Sequence, residues 1–118
     1  MKSQDHLRQQ INGMAQDIEE GYKITKFDVN NFDIEYKEGD TMSAIDYLEQ
    51  MLDIEYITDR NGQYLGARIL MTFGGPNIYI NTRYEQIEGY WWGDEYTVTY
   101  TNDEMGINEF ARELWGMR

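Results

Sequence analysis

The apolar positions of the first 20 residues repeat with the period of a helix. Leu7, Ile11, Met14 and Ile18 follow one another at spacings of four, three and four residues, so they share one narrow helical stripe. Gly21 comes after this stripe, and glycine is common just beyond the C-terminus of a helix. The pattern predicts a helix over residues 1–21 whose remaining faces are polar.

A second helical period lies between residues 41 and 52. The apolar residues at helical spacing there are Ala44, Ile45, Leu48, Met51 and Leu52. The preceding stretch, residues 22–40, has aromatic and β-branched residues in short pieces that are broken at residues 30–31. The sequence therefore predicts an irregular segment followed by a second helix over residues 41–52.

From residue 53 onward the period of the pattern changes to two. Ile54 and Tyr56 alternate with Glu55, as in a strand with one buried face. Asn61-Gly62 then favours a two-residue type I′ hairpin, because both central positions of that turn need a positive φ. Glycines at 74–75 and 93 indicate further turns between strand-like runs. Together these signals predict about five antiparallel strands within residues 53–101.

The last helical pattern follows this sheet. Thr101 and Glu104 have the spacing of a capping box, and Ile107, Phe110 and Leu114 repeat with a helical period. A helix is therefore predicted over residues 102–116. The whole order predicts an α+β fold and a single domain over residues 1–118, in which N-terminal helices and a C-terminal helix pack on one antiparallel sheet.

Acidic residues dominate the charge and are unevenly distributed. Asp and Glu total 22 against 10 Lys and Arg, which gives a formal net charge of -12. Residues 28–59 contain ten acids and one base, whereas residues 60–84 contain three arginines and no acid. Such a surface repels nucleic acid and anionic membranes, so we expect a basic protein partner. A surface that is acidic for solubility alone is the alternative interpretation.

Most catalytic chemistries lack their usual residues in this chain. There is no cysteine, and His6 is the single histidine. Disulfides, thiolate metal sites and nucleophilic triads are therefore not expected. We predict a non-enzymatic protein without a metal or cofactor, and an enzyme that works with carboxylates alone is the alternative. No apolar leader or membrane-length run is present, so a cytoplasmic location is expected.

Aromatic residues are concentrated in the second half of the predicted sheet. Trp91 and Trp92 are adjacent, so within a strand they point to opposite faces and one of them can join the core. Stacking on single-stranded bases needs a cationic groove, which the charge does not favour. The remaining interpretations are core packing and a protein interface. The aromatic residues of this cluster are Tyr79, Tyr84, Tyr90, Trp91, Trp92, Tyr96 and Tyr100.

Several short runs of the chain form a recognisable set within a region of about residues 41–116. They lie at residues 52–56, 64–68, 72–82, 89–94 and 113–115, and the G-G-P-N-I run at 74–78 and the G-Y-W-W-G-D run at 89–94 are the most specific. With these runs the chain resembles a family of short proteins from phages and mobile elements of gut Firmicutes. The resemblance implies a genomic context, a phage or mobile-element accessory protein, and it carries no activity or site residues with it.

In that context, small acidic proteins often block a host nucleic-acid-binding protein. We therefore predict an inhibitor of anti-CRISPR or antirestriction type, whose carboxylates occupy the basic channel of a CRISPR–Cas effector or restriction nuclease. The alternative is a structural or adaptor protein of the mobile element, which could form a homodimer through an aromatic sheet face. The candidate contacts are Asp46, Glu49, Asp53, Glu55, Asp59, Tyr79, Tyr90, Trp92, Asp94 and Glu95.

Overall fold

The computed structural model describes residues 3–118, and it describes side chains from residue 4 onward. Its helices are α1 (Ser3–Glu20), α2 (Lys26–Asn31), α3 (Ala44–Tyr47), which a 3₁₀ turn (Leu48–Gln50) continues, and α4 (Ile107–Met117). Its strands are β1 (Asp53–Thr58), β2 (Tyr64–Thr72), β3 (Asn77–Asn81), β4 (Gln86–Trp91) and β5 (Asp94–Thr99).

The strands form one antiparallel meander. Their spatial order is β1-β2-β3-β4-β5, so every strand pairs with its neighbour along the chain. The β1–β2 and β3–β4 turns therefore lie at one end of the sheet, and the β2–β3 and β4–β5 turns lie at the other. The predicted α+β fold with a five-stranded antiparallel sheet is confirmed.

The core lies between one face of this sheet and the long helices. Ile69, Ile80 and Ile87 occupy paired positions on three neighbouring strands and are fully buried. Helix α1 crosses β4 and β5 so closely that a Cβ on Gly89 would lie 2.2 Å from Cδ1 of Ile11, so a larger residue there would force the helix side chains to shift. Helix α4 lies on the same side of the sheet, where it contacts β2 and contributes to the same core. We call this side of the sheet the covered face.

The segment before the sheet differs from its prediction in two places. Residues 22–40 are not irregular throughout, because they contain α2, whose start is fixed by a capping box between Thr25 and Asp28. The predicted helix over residues 41–52 is shorter, and α3 with its 3₁₀ turn ends at Gln50. Leu52 is already extended, because its N–H donates to the carbonyl oxygen of Leu70 at the start of the sheet.

The hairpin turn at Gly62 differs from prediction, whereas the turn predicted at Gly93 is present. Of Asn61 and Gly62 only the glycine has a positive φ, 81°, and the N–H of Gly62 donates to the carbonyl oxygen of Asp59. The predicted type I′ turn is therefore wrong here, and a longer turn connects β1 to β2. Positive φ at two successive residues occurs instead at Trp92 (55°) and Gly93 (80°), between β4 and β5.

The C-terminal helix begins later than predicted. Residues 102–106 form a turn, and α4 starts at Ile107. The carboxylate of Asp103 accepts the N–H groups of Gly106, Ile107 and Asn108 at 2.8–2.9 Å, so it satisfies the donors at the start of this helix. The predicted capping box between Thr101 and Glu104 is wrong, and an adjacent aspartate performs the capping.

Candidate binding surface

Neither α1 nor α4 packs on the second side of the sheet, which we call the open face. Side chains alternate between the two faces of a strand, and paired residues on neighbouring strands share a face. The pairing places Asp53 beside Leu70, Tyr79 and Glu88 in one row across the sheet. The charged and aromatic side chains that the strands contribute to this face are Asp53, Glu55, Arg68, Tyr79, Glu88, Tyr90 and Glu95.

A buried carboxylate lies at the centre of the open face. Glu88 is 7% exposed, because the side chains around it lie over the sheet. Its Oε1 accepts Nε–H of Arg68 at 2.9 Å, and its Oε2 accepts the side-chain amides of Asn81 at 2.9 Å and Gln86 at 2.8 Å. Both oxygens are therefore satisfied, as a buried charge requires.

The surroundings of Glu88 also determine its ionisation. Burial on its own raises the pKa of Glu88. The hydrogen bonds from Gln86, Asn81 and Arg68, together with the Arg68 charge, outweigh burial and hold the pKa of Glu88 below its usual value. The carboxylate is consequently charged at neutral pH, and it forms an ion pair with the one arginine that the strands place on this face.

Two tyrosines of the open face form a fixed aromatic pair. The guanidinium of Arg68 lies over the ring of Tyr79, with Cζ 3.5 Å from the ring centroid. Tyr90 meets Tyr79 edge to face, with 6.3 Å between ring centroids, and remains exposed. Each of these side chains is held by its neighbour, so the aromatic pair presents a defined shape to solvent.

Three carboxylates flank this aromatic pair. Asp53 and Glu55 lie on the edge strand β1, and Glu95 lies on the opposite edge strand β5. All three residues are exposed. Within the described part of the chain they form no hydrogen bond and no ion pair through their carboxylates. Their charge is therefore available to a partner.

Three of the other predicted contacts lie elsewhere on the molecule. Asp46 and Glu49 line a cleft of about 890 Å³ between α2, α3 and the end of β2. Asp59 lies in the β1–β2 turn, where its Oδ1 accepts the N–H groups of Asn61 and Gln63 at 2.8 and 2.9 Å. This carboxylate therefore shapes the turn. The ten predicted residues thus do not form one continuous site.

The β4–β5 turn and its exit hold the two remaining predicted residues, Trp92 and Asp94. Trp92 is 81% exposed, whereas its neighbour Trp91 packs against the core and meets His6 with 6.2 Å between ring centroids. The expected division of the two tryptophans between core and surface is therefore observed. Trp92 belongs to the turn, however, because β4 ends at Trp91 and β5 begins at Asp94.

The cleft beside α2 is acidic, and some of its carboxylates are already hydrogen-bonded. Its lining includes Asp28, which accepts the hydroxyl of Tyr22 at 2.8 Å. This hydrogen bond, with burial and nearby negative charge, raises the pKa of Tyr22 to about 12. The backbone N–H of Thr25 and the hydroxyl of Tyr22 lower the pKa of Asp28. Asp46 accepts the hydroxyl of Tyr36 in the same way.

Sequence reasoning does not reveal the polar network that organises the open face. The strand pattern places Arg68 on the polar face of β2, but it does not identify Asn81, Gln86 and Glu88 as its neighbours. The sequence does contain a signal for this network, because the polar Gln86 and Glu88 alternate with the apolar Ile87. That alternation indicates a polar face, and only the strand register shows which residues meet on it.

Comparisons of the chain with protein-family models, with curated proteins and with solved structures each give no match. Within the described residues, no three histidine or carboxylate side chains converge as metal ligands. Over the same part of the chain, no helix has both the length and the apolar character needed to cross a membrane.

Proposed function

We propose that this protein is a non-enzymatic inhibitor that binds a basic, nucleic-acid-binding host defence nuclease through its open face. One observation carries the proposal: among the described residues, Asp53, Glu55 and Glu95 are exposed without an internal partner on both sides of a rigid aromatic pair. The resemblance to phage and mobile-element proteins supports a target of CRISPR–Cas or restriction type.

The geometry suits a partner that normally binds phosphates. Exposed carboxylates attract a basic channel over long distances and raise the rate of association. The buried network around Glu88 holds the neighbouring side chains in place, so little conformational entropy is lost when a partner binds. Tyr90 adds an exposed ring of the kind that contributes strongly to protein interfaces.

The charge of the open face favours a basic partner over a second copy of the chain. Among the strand residues of this face there are four carboxylates and one guanidinium, and Glu88 already binds that guanidinium. Two copies that meet through this face would bring like charges together, which costs free energy. The homodimer through an aromatic sheet face is therefore the less favoured proposal.

The proposal is tested by capture from a Firmicutes lysate at low salt, followed by elution at high salt and identification by mass spectrometry. The eluted protein is then purified, and its affinity is measured for the wild type and for the triple variant Asp53→Asn, Glu55→Gln, Glu95→Gln. We expect the triple variant to bind at least about tenfold more weakly, and the wild-type affinity to fall steeply with salt.

A matched control separates surface recognition from net charge. The variant Glu20→Gln, Glu109→Gln, Glu113→Gln removes three exposed carboxylates from the helices and gives the same net charge as the open-face triple variant. Recognition by the open face predicts that this control binds like the wild type. Equal weakening by both triple variants, or no weakening by the open-face variant, contradicts the proposal.

A further inference from the structure

The β4–β5 turn combines an unfavourable backbone conformation with an unfavourable side-chain environment. Trp92 has a φ of 55° and Gly93 has a φ of 80°, the two successive positive values of a type I′ hairpin turn. Asparagine and glycine suit these positions, whereas a bulky residue there is an outlier that costs free energy. The tryptophan side chain is also 81% exposed, and no ring contact is found for it in the described residues.

Within the described part of the fold, the Trp92 side chain makes no hydrogen bond and no ring contact that would offset this cost. Trp91 contributes to the core on the covered face, so the hairpin does not need a second tryptophan for packing. The substitution Trp92→Asn would create the Asn-Gly pair that this turn type prefers. A strained, exposed aromatic residue of this kind is typical of a site where backbone strain serves a function.

Trp92 also lies at an apolar end of the sheet. The β2–β3 turn lies at the same end and exposes Phe73 by 70%, and Tyr90 of the open face precedes Trp92 by two residues. The centres of the two hairpins are separated by two strand spacings, or about 10 Å. The exposed carboxylate of Glu95 borders this end on the open face, because Glu95 pairs with Tyr90.

We infer that Trp92 is an anchor that inserts into an apolar pocket, bordered by basic side chains, on a partner protein. The inference rests on the proposed function, because the same partner contacts the carboxylates of the open face. The charge of the chain and the adjacent Glu95 indicate a basic border to the pocket. The same negative charges disfavour insertion into an anionic membrane. Without them, exposed Trp and Phe side chains at one end of the sheet would suit a lipid interface.

The first test measures the fold alone. Trp92→Asn relieves the backbone strain and, among the described residues, removes no ring contact and no side-chain hydrogen bond. Its melting temperature should therefore exceed that of the wild type by roughly 3–6 °C. Trp92→Ala keeps a residue unsuited to positive φ, so it should give a smaller gain. A melting temperature of Trp92→Asn below that of the wild type overturns the inference, because the side chain would then stabilise the fold.

The second test measures affinity for the basic protein purified from the low-salt capture. We expect Trp92→Asn to weaken this affinity at least about tenfold, even though the variant is the more stable protein. Tyr84→Asn is the matched control, because Tyr84 is an aromatic residue 64% exposed at the opposite end of the sheet. The control should bind like the wild type.

The outcomes distinguish the inference about Trp92 from the proposed function. If the open-face triple variant binds weakly and Trp92→Asn binds like the wild type, the inference that Trp92 is an anchor is wrong and the proposed function stands. If no basic protein is captured, or the open-face variant has no effect, the proposed function fails and the anchor fails with it. Binding of the wild type to vesicles of phosphatidylcholine with phosphatidylglycerol, lost in Trp92→Asn, overturns the protein pocket in favour of lipid.

Discussion

The two faces of this sheet are built from the same five strands and are stabilised in different ways. On the covered face, Ile69, Ile80 and Ile87 are fully buried beneath the helices. On the open face, the central carboxylate of Glu88 is buried by its own hydrogen-bonding neighbours. An uncovered face can therefore still be rigid, because a fully satisfied polar network restrains side chains much as apolar packing does.

The largest expected effect lies on the covered face. Ile80→Ala removes three buried methyl or methylene groups and leaves a cavity, so it should lower the free energy of unfolding by about 3–4 kcal/mol. Urea unfolding followed by circular dichroism measures this change. Ile57→Ala is the control on the open face of β1, where the side chain is only half-buried. A loss from Ile80→Ala as small as that from the control would contradict the assignment of the faces.

A smaller loss is expected from the centre of the open face. Glu88→Gln keeps the shape of the side chain but leaves Arg68 without its ion pair. It also replaces one acceptor oxygen with an NH₂ group, which cannot accept the hydrogen bonds that Glu88 now receives. We expect the free energy of unfolding to fall by about 2 kcal/mol, measured in urea. The control Glu95→Gln, exposed on the same face, should change it by less than about 0.5 kcal/mol. A Glu88→Gln variant as stable as the control would show that the network does not stabilise the sheet.

Acid should destabilise the fold through the same network, but by less than the Glu88→Gln substitution does. The reason is that a protonated Glu88 still forms hydrogen bonds. The pKa of Glu88 is lower in the folded chain than in the unfolded chain. Its contribution to stability is therefore complete above the unfolded pKa and is lost as the pH falls through the folded pKa. Urea unfolding at a series of acid pH values should show that the free energy of unfolding of the wild type falls with pH. The fall should be smaller in Glu88→Gln. An identical pH dependence in both proteins would show that Glu88 does not cause the loss of stability in acid.

The smallest effect on stability is expected from the exposed acids that carry the proposed function. Asp53→Asn together with Glu55→Gln should change the free energy of unfolding by less than about 0.5 kcal/mol, because neither carboxylate has an internal partner among the described residues. The same variant should bind the captured basic protein more weakly. A clear loss of stability would mean that these carboxylates support the fold and would weaken their assignment to a binding surface.

Local sequence patterns predict most of the elements, and the predicted boundaries are wrong where polar side chains determine them. The stripe from Leu7 to Ile18 and the alternation in β1 are sufficient signals, because burial enforces those periods. The short helix α2 escapes prediction because it has no buried residue, and its start depends on one capping box. The position of the type I′ turn escapes prediction because Trp92 contradicts the preference of that turn for asparagine.

The candidate site is predictable as a list of residue types but not as a surface. Asp46 and Glu49 line the cleft, and Asp59 shapes a turn at the far end of the sheet. Charge clustering along a chain does not reveal this division, because residues close in sequence can lie on opposite sides of a sheet. The predicted residues that do share the open face are Asp53, Glu55, Tyr79, Tyr90 and Glu95.

The fold class and the excess of acid follow from the sequence alone, since period and composition are local properties. The sequence also predicts that one tryptophan of the adjacent pair is exposed, but by strand alternation, whereas the structure exposes Trp92 in a turn. Which acids stand beside the aromatic pair depends on the tertiary structure, because the register of five strands brings together residues as distant as Asp53 and Glu95. The tertiary structure also decides which tryptophan is exposed, namely Trp92 at a strained turn. The path of the chain between β4 and β5 sets that conformation, against the local preference of the residue itself.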